Sequence, residues 1–307
     1  MPLYFERLTA SDLKSLSPAQ TVFFFPVGPL EDHGPHLPMG THLFEALHFA
    51  VSAAERLEKE QPGWTAVIMP AAPLGINSHT TRLSLTVRPH VLRDWLVDAC
   101  HGLWKADFRY FVCFSGERGP RQLTAIEDAA KFLRRKAGRL RSSPILRRWS
   151  RLPILVSATS AQISAQDVWK SPFWPDPLEH AGMRDTSVML AIVPDLVRPV
   201  YKTLPSSLRP DSRWDRLWQR LRQKTSGYWG SPQDADPEIG KRILDRELDG
   251  VFVKLRAVWD GANPESLFRS WYSILPPNRS LFKAWLLAIA LLILVIVWIK
   301  LLLQSTG

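Results

Sequence analysis

Four short apolar runs constrain this chain more than any other feature: Thr21 to Phe25, Thr65 to Met69, Tyr110 to Phe114 and Ile154 to Ala158. Each is continuous rather than alternating, which is the pattern of a strand buried on both faces. Amphipathic stretches lie between them, Leu43 to Leu57, Val91 to Trp104 and Leu123 to Leu140. Strand, helix, strand repeated in this way calls for right-handed crossovers and a mostly parallel sheet covered by helices. The expected fold is therefore α/β, a three-layer sandwich whose central sheet is flanked by helices. Trp214 to Gln223 and Ile239 to Leu248 read as two further helices.

The first run empties into Pro26-Val27-Gly28-Pro29-Leu30-Glu31-Asp32-His33-Gly34-Pro35-His36-Leu37-Pro38-Met39-Gly40-Thr41-His42. Two adjacent acidic residues, Glu31 and Asp32, and three imidazoles held by Gly and Pro at the C-terminal end of a buried strand stand where an open α/β sheet binds its ligand. The donor types suit a divalent metal. So many polar groups are costly to bury without partners, which favours a site over chance packing.

Composition bounds the rest. A chain of 307 residues with 46% hydrophobic content can bury a full core. Two cysteines, Cys100 and Cys113, make neither a disulfide framework nor a zinc ribbon and read as core residues of a reducing compartment. The start, Met1 to Arg7, lacks the pattern of a signal peptide. Nine of the basic residues behind the net charge of +10 fall between Lys131 and Arg151, a segment with no acidic residue. No groove-reading motif accompanies them, so nucleic acid is not expected. Attraction to anionic lipid is the simpler account, and a solvated helix face is the bland alternative.

Ala284 to Ile299 is unbroken apolar sequence, and Leu301 to Leu303 follow Lys300. About 20 helical residues reach roughly 30 Å, the thickness of a bilayer core. Trp285 and Trp298 lie near the two interfaces, and Lys300 is placed to snorkel. Arg269, Arg279 and Lys283 precede the span, so the positive-inside rule puts the large domain in the cytoplasm. The expected organisation is a domain over residues 1–262, a Pro-containing linker over 263–280 and a single-pass transmembrane helix over 281–304.

The Glu31 to His42 segment resembles the signature of the creatininase (creatinine amidohydrolase) family, Glu-x-His-Gly-x-His-Leu-Pro followed by Thr-Asp. Leu178 to Ser187 resembles its His-Ala-Gly-x-x-Glu-Thr-Ser element, with Asp185 in place of the glutamate. Tyr228 to Pro232 and Ala235 to Gly240 are similar to its late Gly- and Pro-containing segment. These matches run in the family's order over roughly residues 5 to 255. The chain departs from the family at two positions. His42 stands where the family has a metal-bridging aspartate, and Glu117, in Ser115-Gly116-Glu117, where it has a metal-binding histidine.

The resemblance implies a divalent metal, zinc or manganese, and hydrolysis of a C–N bond other than a backbone peptide bond in a small amide, cyclic amide or formamide. A neutral imidazole offers one lone pair and cannot bridge, so the exchange at His42 argues for one ion rather than two. Glu31, His33, His42 and Glu117 are the expected ligands, with Asp185 a further one if it reaches. His180 would pass a proton to the leaving nitrogen, and Glu179 would orient it or touch substrate. His79, Trp174 and Asp176 would line the substrate pocket. His36 reads as structural, and His48, His90 and His101 as surface residues. The rival reading is a catalytically inactive binding or scaffolding module at the membrane. Homo-oligomerisation is left open.

Overall fold

A computed structural model describes residues 2–76, 83–141, 153–158, 179–208, 226–264, 267 and 279–305. The chain divides into two compact units, Met1–Ser270 and Trp271–Gly307. In the first, a five-stranded sheet is formed by β1 (Leu3–Tyr4), β2 (Thr21–Val27), β3 (Thr65–Ile68), β4 (Tyr110–Ser115) and β5 (Ile154–Ala158), in the order β1-β3-β2-β4-β5. Every pairing is parallel, with Phe24 opposite Ile68 on one side and Val112 on the other. The four apolar runs are thus four of the strands. The short edge strand β1 and the helix α1 (Ala10–Ser15), closed by a Thr9–Asp12 capping box, carried too few apolar residues to be read as elements.

The helices that cover the sheet are α2 (Thr41–Glu60), α3 (Pro89–Lys105), α4 (Pro120–Arg141), α5 (Met183–Ile192) and α6 (Pro237–Trp259). Alternate residues of each strand face opposite layers. Val22, Phe24, Val112 and Phe114 pack with Ala46, Ala50, Ala53 and Leu57 of α2, Val188 of α5 and Phe252 of α6. Phe23, Phe25, Phe111 and Cys113 pack with Leu92, Leu96 and Cys100 of α3 and Ile126, Ala129 and Leu133 of α4. This is the three-layer α/β/α arrangement. The run of alanines lets α2 lie close against the sheet, where Phe49 stacks on Phe114 with ring centroids 6.3 Å apart.

Chain order and strand order disagree at one place. From β2 the chain passes through α2 to β3 on one side, and α3 then carries it back past β2 to β4 on the other. The crevice between the C-terminal ends of β2 and β4 is therefore the switch point at which an open α/β sheet binds ligands.

Arg184, in the first turn of α5 and 1% exposed, joins three helices on one face. Its guanidinium donates to Glu45 of α2 at 2.6 and 3.3 Å, to Glu247 of α6 at 2.9 and 3.1 Å and to Asp185 at 3.2 Å. Burial pushes Glu45 upward, but Arg184, His42 and Arg118 together outweigh it and hold that carboxyl down to about 2. Burial raises Glu247 even against the same charge.

Three sequence expectations need correction or fall outside the described residues. His101 is buried at 8% exposure against Trp104, whereas His90 is exposed and His48 half-buried. It borders the apolar stripe of α3, four residues after Val97 and three before Trp104, and is covered with it. Helix 214–223 lies outside the described residues, as does residues 142–152 of the basic segment.

The second unit contains the helix α7 (Arg279–Ser305), on which Trp285, Leu287, Leu292, Leu294 and Trp298 are each at least 60% exposed. Among the described residues no helix is long and apolar enough to cross a membrane, so the expected transmembrane helix is not found there.

Replacing Arg184 with methionine would leave Glu45 and Glu247 facing each other in the core without their shared cation. We expect Arg184→Met to cost about 3–5 kcal/mol, read from the midpoint of urea unfolding at unchanged slope.

Candidate metal centre

The loop after β2 is folded back on itself by its own backbone. Glu31 N–H donates to the Met39 carbonyl at 2.9 Å, and the Asp32 carboxylate accepts from Gly34 N–H at 2.9 Å across a turn in which Gly34 takes φ +73°. The hydroxyl of Thr41 donates to Pro38 O at 2.8 Å, so α2 starts immediately after the loop closes. Glu31 and His33 are thereby held on the loop, and His42 in the first turn of the helix beside them. The β4 end crosses close to the same turn. A Cβ on Gly116 would lie 2.1 Å from the His42 carbonyl oxygen, so any side chain there would push the β4 loop and α2 apart.

Glu31, His33, His42 and His180 each present one ligand atom, and these four atoms lie within 4.8 Å of one another in a buried pocket. His33 Nε2 and His42 Nε2 are 3.2 Å apart, and His42 Nε2 is 3.0 Å from Glu31 Oε1. Two ligands about 2.1 Å from one tetrahedral ion stand roughly 3.4 Å apart, so these spacings suit a single divalent ion. Glu31 is fully buried, and beyond His42 Nε2 its carboxylate oxygens meet no hydrogen-bond donor among the described residues, which is costly unless a cation faces them. The residues fit a metal.

Hydrogen bonding sets the imidazole tautomers. His33 Nδ1 is 3.0 Å from Glu31 O and His180 Nε2 is 2.8 Å from Asp32 O. A carbonyl only accepts, so those nitrogens carry the protons and leave His33 Nε2 and His180 Nδ1 with lone pairs. Burial, followed by the neighbouring His180 and His42, holds His33 well below the ordinary histidine range, and burial also lowers His180. His42 moves the other way. Burial opposes its charge, but Glu31, Glu45 and Glu117 together raise it well above the usual value. In the metal-free protein a proton on His42 thus supplies the positive charge that Glu31 faces.

The remaining expected site residues are distributed around this cluster. Glu117 Oε2 lies 3.4 Å from His42 Nε2 and Glu117 Oε1 accepts from Gly119 N–H at 2.6 Å, outside the group of four. Burial raises its carboxyl to about 7. Asp185 is not one of the group of four. One of its oxygens accepts from Arg118 at 2.9 Å and Arg184 at 3.2 Å, the other from Ala181 N–H at 2.9 Å. The Glu179 carboxylate accepts from Met183 N–H at 3.0 Å and Arg184 N–H at 2.6 Å, so it caps α5 and fixes the turn that carries His180. Ala181, next in that turn, takes φ +51°. His36 reaches Thr186 Oγ1 at 3.0 Å. His79, Trp174 and Asp176 lie outside the described residues.

Sequence reasoning placed His180 as a proton carrier and did not count it among the ligand atoms. It also passed over Glu45, Arg118 and Arg184. The three-residue step from His42 to Glu45 on one helix face was readable. The partnership of Glu45 with Arg184, 139 positions away, was not.

Comparison with known proteins agrees with this fold. A 3-dehydro-scyllo-inosose hydrolase of Thermotoga maritima is 23% identical over 268 residues, 81% of this chain and 79% of that protein. A solved structure named Creatininase Mn has a TM-score of 0.66 at 20% identity, covering 84% of this chain and 99% of its own. A putative creatinine amidohydrolase from Bacteroides fragilis has a TM-score of 0.60 at 20% identity, covering 88% of this chain and 98% of its own. These likenesses are likenesses of fold. The Creatininase family model, described as creatinine amidohydrolase, matches residues 6–254, and on that match the chain belongs to the creatininase family.

Proposed function

We propose that this chain is a hydrolase that uses one divalent ion, zinc or manganese, to open a C–N bond other than a backbone peptide bond in a small amide, cyclic amide or formamide. The observation that carries the reading is the buried Glu31 carboxylate, grouped within 4.8 Å with the ligand atoms of His33, His42 and His180, two of whose imidazole nitrogens stand 3.2 Å apart. Glu31, His33 and His42 would hold the ion, which when bound supplies the Lewis acidity that activates water and polarises a carbonyl. His42 has one lone pair for this purpose and cannot bridge to a second ion.

His180 is the acid–base group of the proposal. Its Nε2–H is fixed on the Asp32 carbonyl, so Nδ1 takes a proton from the attacking water and returns it to the leaving nitrogen. Glu179 holds the turn that aims it. Glu117, beside His42, adds negative charge to the same pocket. The binding-module reading draws on the same four donors: were His180 a fourth ligand, the coordination would be closed, as in structural zinc sites.

We infer further that α7 seats in a membrane with the large domain on the cytoplasmic side. The apolar side chains exposed from Trp285 to Ile299 and the basic residues Arg279 and Lys283 before them support this, and the basic face of α4 is suited to the same anionic surface.

Three outcomes are expected. The purified chain should take up one zinc or manganese per molecule by elemental analysis, and saturation at 100 times Kd should add about 2.7 kcal/mol to stability. Two tightly held ions, or none under any loading, would refute the single-ion site. His180→Gln should keep the ion and lose at least 100-fold in turnover of whichever of creatinine, a formamide or another cyclic amide the parent hydrolyses. Loss of the ion in that variant would favour the closed, non-catalytic centre. Deleting residues 279–307 should move the protein from the membrane to the soluble fraction with its unfolding midpoint unchanged, and a membrane-bound truncated protein would end the anchor reading.

A further inference from the structure

His42 is the ligand by which this chain departs from the family signature, and its second nitrogen points at a built environment. Nε2 faces Glu31, His33 and Glu117 at 3.0, 3.2 and 3.4 Å. Nδ1 therefore lies on the far side of the ring, where it is buried and has no hydrogen-bond partner. The polar atom facing it is Glu45 Oε2, 3.9 Å away and one helical turn along α2. Glu45 is 2% exposed and is gripped by Arg184 at both oxygens, at 2.6 and 3.3 Å.

A metal-bound histidine holds its orientation by donating its other N–H to a carboxylate, carbonyl or water. Resting on the single-ion reading above, we propose that Glu45 is the positioning residue of the metal centre: it accepts the Nδ1–H of His42, and Arg184 holds it in place to do so. The present separation is too long for a hydrogen bond, and closing it takes a movement of about 1 Å. When an ion replaces the proton on Nε2, Nδ1–H becomes the only N–H of the ring. Glu45 is the carboxylate that receives it and keeps the Nε2 lone pair directed inward. An aspartate at position 42 would have no such N–H, so this function of Glu45 belongs to the His42 form of the site.

Two substitutions separate positioning from simple support of the core, because Arg184 also holds Glu247, at 2.9 and 3.1 Å. Zinc affinity of the purified full-length chain is measured by competition with a chromophoric chelator, and the cobalt-substituted chain supplies a visible spectrum. Glu45→Gln should weaken zinc 10- to 100-fold and alter the cobalt bands. Glu247→Gln, which disturbs the same guanidinium, should change zinc affinity less than threefold and leave the bands in place. Equal weakening by both variants, or no weakening by Glu45→Gln, overturns the inference while leaving the metal centre intact. A parent chain that binds no zinc overturns the metal reading and this one with it. Should Glu45→Gln fail to fold, Glu45→Asp, which keeps a carboxylate near Arg184 but draws it back from His42, is read by the same criteria.

Discussion

The first turn of α2 is pressed between the ends of β2 and β4, and the candidate centre exists because of that contact. The alanines of α2 bring the helix down onto the sheet, and Gly116 lets the β4 loop pass where a Cβ would strike the His42 carbonyl. His42 on the helix, Glu31 and His33 on the β2 loop and Glu117 on the β4 loop are thereby gathered at the one place where strand order reverses. Every one of these positions is set by backbone packing. Placement on packed elements is the condition for tight and selective binding.

Such a gathering is expensive. Glu31, His33, His36, His42, Glu45, Glu117, His180, Arg184 and Asp185 are all buried, and an unpaired ion in that environment would cost several kcal/mol. The structure separates them into two groups. Around Arg184 the charges compensate one another, with Glu45, Glu247 and Asp185 about the guanidinium and Arg118 on Asp185. Around Glu31 they do not: imidazoles and carboxylates converge, and among the described residues no guanidinium or ammonium forms an ion pair with Glu31 or Glu117. The first group stabilises the union of α2, α5 and α6. The second is stable when a cation, whether proton or metal, stands among its donors.

How far the sequence disclosed this depends on the range of the interaction. The strands were readable because a parallel strand is apolar on both faces, and α2 to α4 because their apolar positions recur at helical spacing. The Glu31-to-His42 loop was readable because its ligands are close in sequence. His101 misled because a polar residue at the border of an apolar stripe can be covered by a neighbouring helix, which periodicity does not reveal. Asp185 misled for a related reason. Its place in the family element suggested a ligand, but two arginines and a backbone amide engage both of its oxygens. The Arg184 network was illegible altogether, since its carboxylates come from residues 139 and 63 positions away.

Charge balance gives the exchange at His42 its consequence. With a divalent ion in place, Glu31 and Glu117 would be ionised and bring two negative charges to the pocket, while His33, His42 and His180, neutral, would bring none. One divalent ion leaves this group electrically neutral. A second would leave a buried excess of +2, with no bridging carboxylate to draw the ions' charges together, and the solvation lost on burying such an excess is large. With an aspartate at position 42 and a histidine at 117, the signature that this chain resembles would retain the same two negative charges but place one of them on a residue with two donor oxygens. The pair of departures thus leaves the charge unchanged and moves it, from a position able to bridge two ions to one beside a histidine that can serve only one. On the single-ion reading proposed above, the chain's departures from the signature would change the number of ions rather than remove the capacity to bind them.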